Sequence, residues 1–234
     1  MEKSLDSTTF CSPDISFQQE TVDFLLELTQ HEKATPRLLE WAGFLALENE
    51  CWSIAEAIFA SLLESRNKIL DLLGLAKALR MQFRLVEAED CYLASLDRIT
   101  QACSLLFVVY KALGEISLLK EDFYQAEEYY NKASTLNPAC KSLVFCRAMM
   151  YLKEKNYKLA EERFKDYLRF DLHSTKAWLG LALIRKALDD EELAWACLER
   201  CLDIEPENSQ ALQLKTQWKK SIFYDSSSSL SFSA

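Results

Sequence analysis

Cys197 and Cys201 stand one helical turn apart, a spacing that would let two thiolates reach one soft metal ion. A closed zinc site needs four ligands, and the two histidines, His31 and His173, lie far from this pair in sequence. The 8 cysteines are scattered without CxxC spacing, so reduced thiols packed as small apolar side chains account for them better than a metal site or a disulfide framework. Adjacent carboxylates are the next candidates: Glu127 with Glu128, Glu161 with Glu162, and Asp189 with Asp190. Acid–base work requires one carboxyl held protonated, whereas pairs on the solvent side of a helix or turn both stay ionised, and that surface reading is preferred. Cys11 would take a lipid only behind an apolar signal, and MEKSLDSTTFCSP contains none.

The chain has no nucleophile elbow, P-loop, dinucleotide fingerprint or HExxH helix. Only 4 glycines are present, too few for a phosphate cradle built from backbone. No catalytic residue, cofactor or metal is therefore expected, and an enzyme is disfavoured. The net charge of −9 argues against nucleic acid as a partner, because such proteins carry a basic stripe. The longest apolar run, around Leu105 to Tyr110, is far too short to cross a membrane. With no secretory signal, a cytoplasmic protein is expected.

What positions these residues is a series of amphipathic helices. At 234 residues and 50% hydrophobic, the chain can bury a large core. With 4 glycines and 4 prolines it lacks the turn chemistry of a β-rich protein. In FVVYKALGEISLLKEDFYQAEEYYNKASTLNPAC, from Phe107 to Cys140, the apolar residues recur at about one helical turn, on one face of each of two helices. Leu113 and Gly114 form a pair in the first helix, where close approach favours small residues. Phe123, Ala126, Tyr130 and Ala133 follow in the second, which Pro138 closes. The following segment repeats this pattern about 34 residues later, the mark of an array of helical hairpins.

These signature positions resemble the tetratricopeptide repeat (TPR). The resemblance implies an all-α, right-handed superhelical solenoid of about five helical hairpins, with capping helices at both ends. The repeats are expected over 36–68, 69–106, 107–140, 141–174 and 175–208. Residues 1–16 read as a flexible lead-in, 17–35 as an N-terminal capping helix and loop, 209–224 as a C-terminal capping helix with Leu212 and Leu214 inward, and 225–234 as a disordered serine-rich tail. Small pairs recur at Ala42–Gly43, Leu75–Ala76 and Leu181–Ala182, and Ala148 takes the place in the fourth repeat. The second repeat is four residues longer than the period, which predicts an extended second helix or a changed superhelical twist near Asp97 to Gln101.

In TPR arrays the first helices line a concave groove. Carried across position by position, the resemblance places Trp41, Phe44, Leu73, Lys77, Lys111, Glu115, Phe145, Met149, Leu179 and Leu183 on that face. Mostly apolar, this set favours an amphipathic helix or an extended apolar segment of a protein as guest. The family's clamp for acidic C-terminal peptides would use basic residues and asparagines. Here Lys111 and Lys176 hold two of its places, but Glu115 and Cys146 stand where the asparagines belong, so no such binding is expected. Size, charge and groove character resemble bacterial type III secretion chaperones. A general scaffold or assembly factor is the alternative, and homo-oligomerisation stays open.

Overall fold

Proline with fixed φ suits the first turn of a helix, and the first helix described opens on Pro36 behind a threonine cap, with Leu38 N–H donating to Thr35 Oγ1 at 3.3 Å. A computed structural model describes residues 24, 27, 34–100 and 103–229, with side chains through residue 219. The expected lead-in, nearly all of the N-terminal capping helix and residues 230–234 lie outside the described residues.

Among the described residues the fold is all-α. The helices are α1 (Pro36–Glu48), α2 (Trp52–Arg66), α3 (Ile69–Met81), α4 (Leu85–Leu96), α5 (Cys103–Leu119), α6 (Phe123–Leu136), α7 (Lys141–Lys153), α8 (Tyr157–Phe170), α9 (Thr175–Ala187), α10 (Glu191–Ile204) and α11 (Ser209–Ser229). Asp122, Asn156, Ser174 and Asp190 cap α6, α8, α9 and α10 with side-chain acceptors, which satisfies first-turn N–H groups. Glu50, Phe83, Glu121, Lys155 and Asp189 each take positive φ at the turn joining two consecutive helices, so one turn geometry serves every hairpin.

The chain forms two compact units, Met1–Ile116 and Ser117–Ala234. In the first, Ala42, Ala46, Ala55, Phe59 and Leu62 are fully buried where α1 meets α2. In the second, Ala126, Tyr130 and Ala133 of α6, Ala160 and Phe164 of α8, and Ala194, Leu198 and Cys201 of α10 are fully buried. The recurring alanines let neighbouring helices approach, and the large residue one turn on fills the space beside each contact. Ala160→Leu is expected to overpack the α8 crossing and destabilise by about 1–3 kcal/mol, measured by denaturant unfolding.

Three expectations need correction. The helix α4 is not extended: it stops at Leu96, and Arg98 and Ile99 close a turn by donating to the Ser95 carbonyl. The additional residues instead lengthen the start of α5, which begins at Cys103, and so change a first helix rather than a second. At the C-terminal end, α11 continues through Asp225 to Ser229 instead of giving way to a disordered tail. No glycine or proline interrupts that stretch, and propagating a formed helix costs far less than nucleating one. Within α11, Leu212 faces solvent, while Ala211 and Trp218 are the buried residues, with Leu214 packed beside them. Positions 211, 214 and 218 make the buried stripe, because Trp218 meets Trp195 edge-on at 5.7 Å and sets the rotation of the helix.

Candidate partner-binding surface

The ten residues expected to form a concave face do not share one environment. Trp41 is 54% exposed, and Phe44, Lys77 and Leu183 are also exposed. Leu73 and Leu179 are buried and belong to the core. Phe145 is half-buried, its ring against Phe164 at 5.9 Å and Tyr167 at 5.2 Å, so it is as much a packing residue as a surface one. Lys111 and Glu115 form an ion pair at 3.4 Å, and Glu115 also holds Arg80 at 2.7 Å. This Glu115 carboxylate ties α5 to α3, a structural duty that sequence position alone did not reveal.

Two apolar hollows gather most of the set, one in each unit. In the first unit Phe44, Leu73 and Lys77 line a hollow of about 220 Å³ together with Leu70, Tyr92, Leu105 and Val108. In the second, Phe145, Met149, Leu179 and Leu183 line one of about 260 Å³ with Leu152, Lys176 and Gln210. Trp41, Lys111 and Glu115 belong to neither lining. Each hollow therefore combines aliphatic and aromatic walls with one exposed lysine, Lys77 or Lys176. Burial pushes the Tyr92 hydroxyl up to about 12, so it faces the first hollow uncharged.

Some lining residues escaped sequence reasoning. Leu70 precedes Leu73 and Gly74 by one turn of α3, a helical spacing that could have marked it. Leu105 lies on the lengthened start of α5, which the expected boundary after residue 106 assigns to the preceding hairpin, and Val108 follows it on the same helix. Gln210 comes from α11, whose rotation depends on the tryptophan contact.

The residues first considered for chemistry serve packing. Burial raises the thiol pKa of Cys197 and of Cys201, and Cys201 is enclosed by the α10–α11 core. Among the described residues no group of three or more His, Cys, Asp or Glu is placed to hold a metal ion. Glu127 accepts from Tyr151 Oη at 2.7 Å, and Glu161 pairs with Lys165 at 2.5 Å and with Arg185 of the next helix. Asp190 caps α10 and meets Arg185 at 3.4 Å. Members of all three acidic pairs thus hold helices in place, beyond the simple solvated role expected of them. Among the described residues no helix is long and apolar enough to cross a membrane.

Consecutive helical hairpins with alanines at the crossings define a helical-repeat fold. The tetratricopeptide repeat family model matches residues 109–140 and 175–208. None of the curated proteins matches the chain. Solved structures share its fold. YrrB, a TPR protein with an unusual peptide-binding site, is 18% identical, with 85% of this chain and 99% of that chain covered and a TM-score of 0.55. PilF of Pseudomonas aeruginosa is 16% identical over 86% of this chain and 97% of its own, with a TM-score of 0.61. A MamA fragment from Desulfovibrio magneticus RS-1 is 14% identical over 74% and 96%, with a TM-score of 0.60. TPR domains generally mediate protein–protein interaction.

Proposed function

We propose that this chain is a non-catalytic protein-binding module whose first helices take an apolar segment of a partner, an amphipathic helix or an extended strand carrying an acidic residue. The observation that supports this most directly is the pairing, in each unit, of an apolar hollow with an exposed lysine at its lining. YrrB, similar in fold, has a peptide-binding site of its own. Holding a hydrophobic client, as a cytoplasmic chaperone for a secreted protein does, is the specific role that the acidic chain and apolar hollows suit.

A general scaffold is the second reading, favoured by Phe83 and Val86. They stand 75% and 64% exposed at the α3–α4 turn and offer a second apolar contact. Leu183→Glu and Val108→Glu place a carboxylate in one hollow each at positions already exposed. A charge buried unpaired under a guest is costly, so partner capture from native lysate should fall by more than roughly tenfold with helical circular dichroism unchanged. Leu183 is a cleaner probe than Phe145, whose replacement also disturbs the ring cluster with Phe164 and Tyr167. Undiminished capture by both variants would end the hollow-binding reading. A scaffold would keep one partner that a single-site chaperone loses.

A further inference from the structure

We propose that a cavity between α6, α7 and α8 is a binding site for a phosphate-type oxyanion. It is separate from the apolar hollows and independent of the reading above. The cavity measures about 230 Å³ and is lined by Arg147, Arg163, Ser134, Cys140 and the apolar Pro138, Leu143 and Val144. Two guanidinium groups and no carboxylate form its charged lining, in a chain whose net charge is −9.

Neither arginine stands where the repeat calls for a charge. In the small pair of the first helix, the place of Arg147 is held elsewhere by Ala42, Leu75, Leu113 and Leu181. In the second helix, the residue before the buried Phe59, Tyr92, Tyr130 or Leu198 is Ile58, Cys91, Tyr129 or Cys197, and before Phe164 it is Arg163. Both departures fall in one hairpin and meet in one cavity. The Arg147 and Arg163 side chains stay 23% and 37% exposed, and the other hairpins show that packing is met by apolar residues at these places.

Both side chains retain donors for a ligand. Arg147 gives Nη2 to Asn131 Oδ1 at 2.9 Å and lies 3.8 Å from Glu127, while its Nε–H is buried and, among the described residues, has no acceptor. Arg163 gives Nη1 to Asp166 at 3.0 Å and has Glu162 at 3.7 Å. A guanidinium has five N–H donors in a planar fork, so these contacts use only part of either set. The cavity also adjoins the start of α7, where Cys140 supplies no side-chain cap and the positive end of the helix dipole adds to the field. Ser134 adds a hydroxyl donor. A tetrahedral phosphate, dianionic near neutral pH, fits two such cations better than a single carboxylate does.

The test uses the full chain with R147L and R163I, which install residue types found at the equivalent places, and reads calorimetric binding of inorganic phosphate and melting by circular dichroism. At matched ionic strength, phosphate should bind and raise the melting temperature where chloride does not. Each variant should weaken phosphate binding roughly ten- to hundredfold, yet melt no lower than wild type without phosphate. A phosphoserine peptide that binds more tightly than inorganic phosphate, with its unphosphorylated form silent, assigns the oxyanion to a partner segment. Equal affinities assign it to the free ion. No phosphate binding, binding that survives both substitutions, or a lower melting temperature of both variants in phosphate-free buffer would overturn the proposal, the last by making the arginines a structural pair.

Discussion

Asp71→Ala is expected to cost about 3 kcal/mol of stability, toward the lower end of what breaking a buried ion pair removes. Asp71 is fully buried in the first turn of α3 and accepts Arg66 Nε at 2.8 Å and Nη2 at 2.5 Å. Arg66 is the last residue of α2, and its remaining fork reaches Glu40 of α1 at 2.9 Å. One guanidinium therefore joins three helices, with the acid near a helix N-terminus and the base at a C-terminus, as the helix dipoles favour. Removing Asp71 leaves a largely buried cation with only Glu40. That surviving contact is why the loss should stay near the lower bound.

The check is a shift of the urea midpoint with unchanged slope. A loss below about 1 kcal/mol would show that the pair behaves like a surface contact. The double replacement Arg66→Met with Asp71→Leu should recover most of the loss, because apolar residues of similar volume remove the desolvation cost along with the pair.

Gly180→Ala is expected to destabilise the second unit by about 1–3 kcal/mol. The sign matters, because the same change in an unconstrained helix interior gains about 1 kcal/mol. A Cβ on Gly180 would stand 2.4 Å from Cζ of Phe164, whose ring is fully buried and closed in on another side by Phe145. The ring cannot swing away, so either the ring or helix α9 must move. Phe164→Leu in the same chain should return part of the loss by freeing that space, a non-additivity expected of residues in contact. A Gly180→Ala variant as stable as wild type would mean that the α8–α9 crossing yields easily. The first unit uses the same device twice: Phe59 meets a Cβ placed on Gly74 at 2.5 Å and one on Gly43 at 2.8 Å.

Much of this architecture is legible before any coordinates. Ala126, Tyr130 and Ala133 recur at helical spacing, and each is fully buried. The small pair Ala42–Gly43 suggested close contact, and at Gly43 a large buried ring occupies the space. Local periodicity carries such information because a helix presents a fixed face whatever lies opposite it.

The binding surface is less legible, since a position on a helix face does not say what covers it. Leu73, Phe145 and Leu179 occupy equivalent places in their hairpins, yet Leu73 and Leu179 are buried and Phe145 is only half-buried. Phe145 turns to Phe164 and Tyr167, and Glu115 is drawn to Arg80, through contacts between residues distant in sequence. The four-residue insertion could have lengthened either neighbouring helix, and the turn that closes on Ser95 assigned it to α5.

The all-α hairpin fold follows from local signals, because the 3.6-residue period, the caps and the scarcity of glycine and proline agree with one another. Contacts between helices select which apolar residues stay open as hollows, how α11 is rotated, and that Arg147 and Arg163 share a cavity. These are properties of packing between helices, where one ring or one ion pair selects among arrangements that the period alone leaves equal.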